Sequence, residues 1–184
     1  MPGMRVLADQ HEVARLVGVL AEGLGAAMAR RPEPWALVGL KRRGDVLAHR
    51  LAPLLDESRL AGRVGSLDIT LYRDDLSEVG PNPLVRTTEV PFALDGLQVA
   101  LVDDVLMTGR SIRAALQCLM DLGRPARVYL AVLVDRGGRE LPIEPGVVAL
   151  DLARSAALRP TDRVEVHLAP IDPQDRVVLQ EVSP

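Results

Sequence analysis

The chain predicts an α/β fold in which helices flank a parallel sheet, with a small subdomain appended towards the C-terminus. Three observations predict it. Aliphatic strand-like runs alternate with helical periodicity through roughly the first 135 residues, the rhythm of βαβ units. Hydrophobic residues make up 48% of 184 positions but aromatics only 2%, so the core is Leu, Val, Ala and Ile, which suits strands covered on both faces. After about residue 136 the rhythm breaks into short strands between proline-containing loops.

Asp9 and Glu12 form a capping-box variant ahead of Val13, Leu16, Val17, Leu20 and Leu24. This predicts a first helix to about Arg30, ended by Pro32 and Pro34. Trp35–Gly39 reads as a short strand, residues 40–44 as a loop and Asp45–Leu55 as a second helix. Leu67, Ile69 and Leu71 alternate with Ser66, Asp68 and Thr70, a strand period. Residues 73–90 carry charges, Gly80, Pro81, Asn82 and Pro83; so long an irregular stretch inside a compact domain predicts a functional loop. Val99–Val102 is a buried-type strand running into Asp103 and Asp104. From Ser111 a helix puts Ile112, Ala115, Leu116 and Leu119 on one face, and Gly123 closes it. Val128–Val134 is another buried strand, and short strands are expected near 147–150, 163–168 and 176–180.

Several function classes fall away. A net charge of -3 argues against a globally basic nucleic-acid coat. Positive charge is almost wholly arginine, with Lys41 the one lysine. Cys118 is the one cysteine and lies in an apolar helix pattern, so it reads as a buried thiol. His11, His49 and His167 have no metal-ligand spacing, and the chain lacks GxxxxGK[ST], GxGxxG and GxSxG. No signal-peptide pattern or membrane-length apolar run is present, so a cytoplasmic protein is expected, without a membrane partner.

The informative segment is Val99–Ala114: strand, acidic pair, small-residue loop, helix. Ligands of open parallel sheets bind beyond the carboxyl ends of the strands. Thr108, Gly109, Arg110 and Ser111 stand at a helix start, where unpaired N–H groups and the positive end of the helix dipole suit a phosphate. Asp103 and Asp104 cannot hold phosphate themselves. They suit ribose hydroxyls, or a magnesium ion through water.

The string Asp103-Asp104-Val105-Leu106-Met107-Thr108-Gly109-Arg110-Ser111 resembles the motif with which type I phosphoribosyltransferases bind 5-phosphoribosyl pyrophosphate (PRPP). The segments 68–77, 123–125, 130–137 and 139–143 resemble those of the PyrR family of pyrimidine-operon regulators, and together the likeness spans about residues 36–180. The resemblance implies the type I phosphoribosyltransferase fold as one domain over 1–184, its hood contributed largely by about 136–184. It implies weak uracil phosphoribosyltransferase activity, in which uracil and PRPP give UMP and pyrophosphate. It also implies uracil-nucleotide-dependent binding to leader mRNA, hence transcription attenuation, and a dimeric or tetrameric homo-oligomer.

By position, the resemblance assigns roles. Asp103 and Asp104 would hold the ribose hydroxyls and Mg²⁺-PRPP, and Thr108–Ser111 the 5-phosphate. Lys41, Arg42, Arg43 and Gly44 match the pyrophosphate loop, although alone they would read as a solvated face. Asp103, Asp104 and Arg43 become the candidate catalytic residues; Arg42, Arg43, the 103–111 string and Arg136 become the candidate PRPP and UMP ligands. Residues 73–90 match the mobile loop that closes over PRPP. The candidates for RNA contact are Arg15, Arg30, Arg31, Arg139 and Arg154.

Three departures bear on function. Met107 stands where purine-type relatives carry aspartate, and a methionine cannot accept a proton. Residues 18–27 carry no basic residue where the family's first helix is basic, and Gly138 replaces a histidine. A phosphoribosyltransferase without an RNA-binding role is the alternative reading.

Overall fold

The computed structural model describes residues 3–72, 87–153 and 158–181. Five parallel strands form the main sheet: β2 (Trp35–Leu40), β3 (Val64–Leu67), β4 (Gln98–Leu106), β5 (Arg127–Asp135) and β6 (Val147–Asp151), in the order β3-β2-β4-β5-β6. A second, antiparallel sheet has the order β1-β8-β7, from β1 (Gly3–Ala8), β7 (Arg163–His167) and β8 (Arg176–Glu181).

Helix α1 (Gln10–Ala29) starts as its sequence demands: the Asp9 carboxylate accepts the Glu12 N–H at 2.9 Å. It buries Val13, Leu16, Leu20 and Leu24, a stripe at helical spacing. Every residue of β2 is buried, as a central parallel strand requires. Alternate residues of β4 serve the two faces. Ala100 and Val102 pack with α1 and α2 (Gly44–Leu51), whereas Val99 and Leu101 pack with Ile112, Ala115 and Leu119 of α4 (Arg110–Leu122).

This topology positions the site. From β2 the chain crosses through α2 to β3 on one side; from β4 it crosses through α4 to β5 on the other. The carboxyl ends of β2 and β4 therefore flank the point where the strand order diverges, which opens a crevice. Close packing fixes one wall of it: a Cβ on Gly44 would stand 2.4 Å from the Val102 carbonyl oxygen, so only glycine lets α2 start against β4.

The structure corrects several expectations. Strand β4 runs through the acidic pair to Leu106 rather than stopping at Val102, because Asp103 and Val105 continue its pairing with β5. The strand expected at 67–71 ends at Leu67, and Thr70–Tyr72 turns as a 3-10 helix with the Asp68 carboxylate accepting from the Thr70 N–H. The second helix ends at Leu51 and is followed by a 3-10 turn, Ala52–Leu54. A short helix, α3 (Glu57–Leu60), was not expected. Strand β6 joins the main sheet, so the change of architecture comes after it, and the N-terminal β1 completes the second sheet by pairing with β8.

Candidate active site

Asp104 lines a recess with Arg43, whose charge acts on Asp104 and is not among those acting on Asp103. Asp103 is buried, and its Oδ1 accepts the Asp104 N–H at 2.9 Å. Asp104 Oδ1 accepts the Val105 N–H at 2.9 Å. Burial pushes the pKa of both carboxyls up, for Asp103 well above the ordinary range, with the charge of Asp104 adding to the rise. The hydrogen bond between the two carboxyls and then the Arg43 charge pull Asp104 back towards ionisation. A cationic or hydroxyl-bearing ligand placed at this pair would be drawn to it.

Beyond β4, Gly109 adopts φ 89°, the left-handed region that favours glycine, and serves as N-cap of α4. The Thr108 hydroxyl accepts the Arg110 N–H at 3.3 Å. The turn is braced from above. The Glu140 and Leu141 N–H groups donate to the Thr108 carbonyl at 3.0 and 3.1 Å, and Ile143 lies against Gly109. The Arg110 guanidinium faces Glu140, with Nε 2.6 Å from Oε2, while the first-turn N–H groups of α4 have no helical partner of their own.

On the β2 side, Lys41 Nζ donates to the Thr87 carbonyl at 2.6 Å and lies 3.6 Å from Glu89. Arg42 is exposed, and has no hydrogen-bond or ion-pair partner among the described residues. Arg43 adopts φ 74° and pairs in bidentate fashion with Asp172 of the β7–β8 loop, at 2.8 and 2.9 Å. Arg43, Asp104, Val164 and Glu165 line a recess that adjoins a cavity of about 660 Å³ between Val105, Met107, Arg136 and the start of β7. Met107 is 39% exposed towards that cavity.

The structure brings Arg43 and Asp104 into one recess, and the Lys41–Gly44 loop after β2 and the Thr108–Ser111 turn after β4 both stand at the carboxyl ends of neighbouring parallel strands. It gives other candidates different tasks. Arg136 is 7% exposed, and its Nη2 donates to the carbonyls of Arg159, Pro160 and Asp162, which binds the approach to β7 into the wall. Arg139 ties Asp135, the Ile143 carbonyl and the Met107 carbonyl together, and so braces this turn. Arg31 donates to the Tyr129 hydroxyl and lies over its ring, which likewise gives it an internal partner. Arg15 is exposed and pairs with Glu12, and Arg30 is exposed at the far end of α1. Arg154 and residues 73–86 of the expected loop lie outside the described residues.

Sequence reasoning missed Asp172, Arg50 and Asp175. Arg50 holds Asp175 at 2.5 and 3.0 Å, parallel to the Arg43–Asp172 pair. These partners stand 129 and 125 residues apart, so nothing local marks them.

No three His, Cys, Asp or Glu side chains gather to cage a metal among the described residues. The donor set here is two neighbouring carboxylates, which fits an ion held mostly by water and substrate oxygens, as magnesium is at phosphate substrates. Among the described residues, no helix is long and apolar enough to cross a membrane.

Comparison with known proteins agrees with this geometry. Residues 6–159 match the phosphoribosyl transferase domain family. The chain is 43% identical over 179 residues to the bifunctional protein PyrR of Akkermansia muciniphila, covering 97% of each chain. It is 53% identical over 152 residues to that of Thermus thermophilus, covering 81% of each. Its backbone resembles the crystal structure of the hypoxanthine phosphoribosyltransferase of Trypanosoma cruzi, with TM-score 0.69 at 17% identity and 97% of each chain covered. The chain therefore belongs to the phosphoribosyl transferase domain family and, within it, to the bifunctional PyrR proteins.

Proposed function

We propose that the chain transfers the 5-phosphoribosyl group of PRPP to uracil, giving UMP and pyrophosphate, and that uracil-nucleotide occupancy of this site governs binding to the leader mRNA of the pyrimidine operon. The observation that supports the reading is that Arg43 and Asp104 line one recess, while the basic loop after β2 and the helix N-terminus after β4 stand at the carboxyl ends of adjacent parallel strands. Each of these meets one part of PRPP. The first-turn N–H groups of α4, with Thr108 and Ser111, receive the 5-phosphate. Asp103 and Asp104 orient the ribose hydroxyls. Lys41, Arg42, Arg43 and the Gly44 N–H receive the pyrophosphate.

The C1–O bond to pyrophosphate breaks, its electron pair leaving with pyrophosphate, as uracil N1 forms its bond to C1 and gives up its proton to the departing pyrophosphate or to water. Positive charge develops on the ribose and negative charge on the departing pyrophosphate. The Asp104 carboxylate is placed to steady the first, and the guanidinium groups of Arg42 and Arg43 the second. Mg²⁺ bound through PRPP oxygens and water would neutralise pyrophosphate charge beside the same carboxylates. Met107 offers no base to the incoming ring, which favours a base that needs no proton acceptor from this loop. Closure of the 73–90 loop would exclude water. The second sheet with its loops is read as the hood, and the assembly as a cytoplasmic dimer or tetramer.

The test incubates the chain with PRPP, Mg²⁺ and, separately, uracil, cytosine, hypoxanthine and guanine. UMP and pyrophosphate should appear in equal amounts with uracil alone; turnover of a purine would overturn the substrate assignment. A phosphoribosyltransferase without an RNA role is the second reading. It is favoured by the lack of basic residues at 18–27 and by the internal engagement of Arg31 and Arg139. Leader-RNA binding in the presence of UMP decides between the two.

A further inference from the structure

The loop between β7 and β8 is closed on itself by two carboxylates. Asp172 Oδ2 accepts the Leu168 N–H, and Asp175 Oδ1 accepts the Ala169 N–H, both at 2.8 Å. Each carboxylate then grips an arginine from the other side of the crevice: Asp172 takes Arg43 and Asp175 takes Arg50. Arg43 and Arg50 stand seven residues apart, two turns along one helical face, so the loop meets both at once. The two pairs differ in place. Arg43 lines the recess beside Asp104, whereas Arg50 also donates to the Ala169 carbonyl and is absent from that recess.

We infer that Asp172 is a positioning residue: it orients Arg43 of the Lys41–Gly44 loop for pyrophosphate, and so links the hood to the leaving-group site. This rests on reading that loop as the pyrophosphate loop. Asp172 engages only the Nε and Nη2 edge of Arg43, which leaves the Nη1 edge for a second anion. The carboxylate is itself held by the Leu168 N–H, which donates to Oδ2. Arg43 needs such a hold, because it caps α2 at positive φ without a side-chain cap of its own. A long, rotamer-rich side chain held before the ligand arrives loses less freedom on binding.

The test compares wild type, Asp172→Asn, Asp175→Asn, Arg43→Gln and the Asp172→Asn/Arg43→Gln double variant. KM for PRPP, kcat with uracil, and the affinities for inorganic pyrophosphate and UMP are measured on each. Asp172→Asn should raise KM for PRPP and weaken pyrophosphate binding by about 2- to 12-fold, the range for releasing one ordered side chain. Affinity for UMP, which has no pyrophosphate, should hold. The double variant should match Arg43→Gln alone, since the effect passes through Arg43, and Asp175→Asn should leave the ratio of PRPP to UMP affinity as in wild type. Equal losses for PRPP and UMP, a matching effect of Asp175→Asn, additive losses in the double variant, or tighter PRPP binding by Asp172→Asn would each overturn the inference. If wild type binds pyrophosphate and Asp172→Asn is unchanged, only this inference falls. A wild type that binds neither pyrophosphate nor PRPP overturns the loop assignment itself.

Discussion

Burial raises the pKa of both acidic residues at the end of β4, yet of the two only Asp104 has the Arg43 charge acting on it, which favours its charged form where ribose charge would develop. Asp104→Asn keeps the size and can still accept the Val105 N–H, so the fold should persist while the charge is lost. Removal of one well-placed transition-state contact costs about 10²–10³ in rate, and kcat at saturating PRPP should fall by that order. An unchanged kcat would refute the role of Asp104 at the ribose. Asp103, Asp104 and the Thr108–Ser111 turn were legible in the sequence because their signal is local: an aliphatic run, two acids, small residues, then helical periodicity. Arg43 was legible only as a charge. Its partner Asp172 was not, because an ion pair across 129 residues leaves no pattern in either neighbourhood. Arg139 was likewise legible only as a charge, since its three internal acceptors leave no local pattern.

At the scale of elements, the crevice depends on how closely α2 starts against β4. Gly44→Ala would place a methyl 2.4 Å from the Val102 carbonyl oxygen and 3.2 Å from the Asp103 Cα, both backbone that cannot swing aside. Overpacking of this kind costs about 1–3 kcal/mol, and each kcal/mol lowers Tm by roughly 2–4 °C in a chain of this size. The variant should therefore melt several degrees lower and need more PRPP, and a wild-type Tm would show that α2 shifts freely. The clamp between the β7–β8 loop and α2 adds an acid-sensitive contribution. Hydrogen bonding to Arg43 holds the Asp172 pKa well below the usual carboxylate value, and Arg50 lowers that of Asp175. A depressed pKa stabilises the fold above the unfolded-state value near 4, and the gain is lost as pH falls towards the folded-state value. The Tm gap between wild type and Asp172→Asn should thus be present at about pH 7 and shrink below about pH 3; a gap independent of pH would mean that the pair's charge is not what stabilises the clamp. Long strands and helices were legible because periodicity builds up over their length. Strand β1 was not: six residues with Met4 and Val6 exposed carry little pattern, and its partner β8 lies at the other end of the chain. Strand β3 was misplaced because the Leu67–Leu71 alternation continues into a 3-10 turn that the Asp68 side chain initiates.

For the whole molecule the question is whether nucleotide and RNA communicate. If they do, thermodynamic linkage requires UMP to tighten RNA binding and RNA to tighten UMP by the same factor, on the order of 5- to 150-fold. The proposed nucleotide site lies at the carboxyl ends of β2 and β4, whereas the exposed RNA candidates Arg15 and Arg30 sit on α1 and at its C-terminal cap. Coupling between two separate sites has to pass through a shared equilibrium, either of the second sheet against the main sheet or of one copy of the chain against another. The β7–β8 loop is mechanically suited to the task, since Asp172 and Asp175 tie it to Arg43 and Arg50 at α2, and α2 packs against the same face of the sheet as α1. Arg31 and Arg139 already have internal partners, so Arg15 and Arg30 are the exposed ones among the described RNA candidates. With two or three phosphate contacts at about 0.7 per contact for single strands, the slope of log affinity against log salt should lie near −1.4 to −2.1 for each protomer. Titration of leader RNA with and without UMP, and of UMP with and without RNA, at two salt concentrations measures both quantities. Equal reciprocal factors with a shallow slope are the expected result. RNA binding that ignores UMP would remove the switch, and a steep slope would place the RNA on a basic surface other than α1. No binding at low salt with UMP present would leave a uracil phosphoribosyltransferase whose first helix, bare of basic residues between 18 and 27, has no RNA to meet.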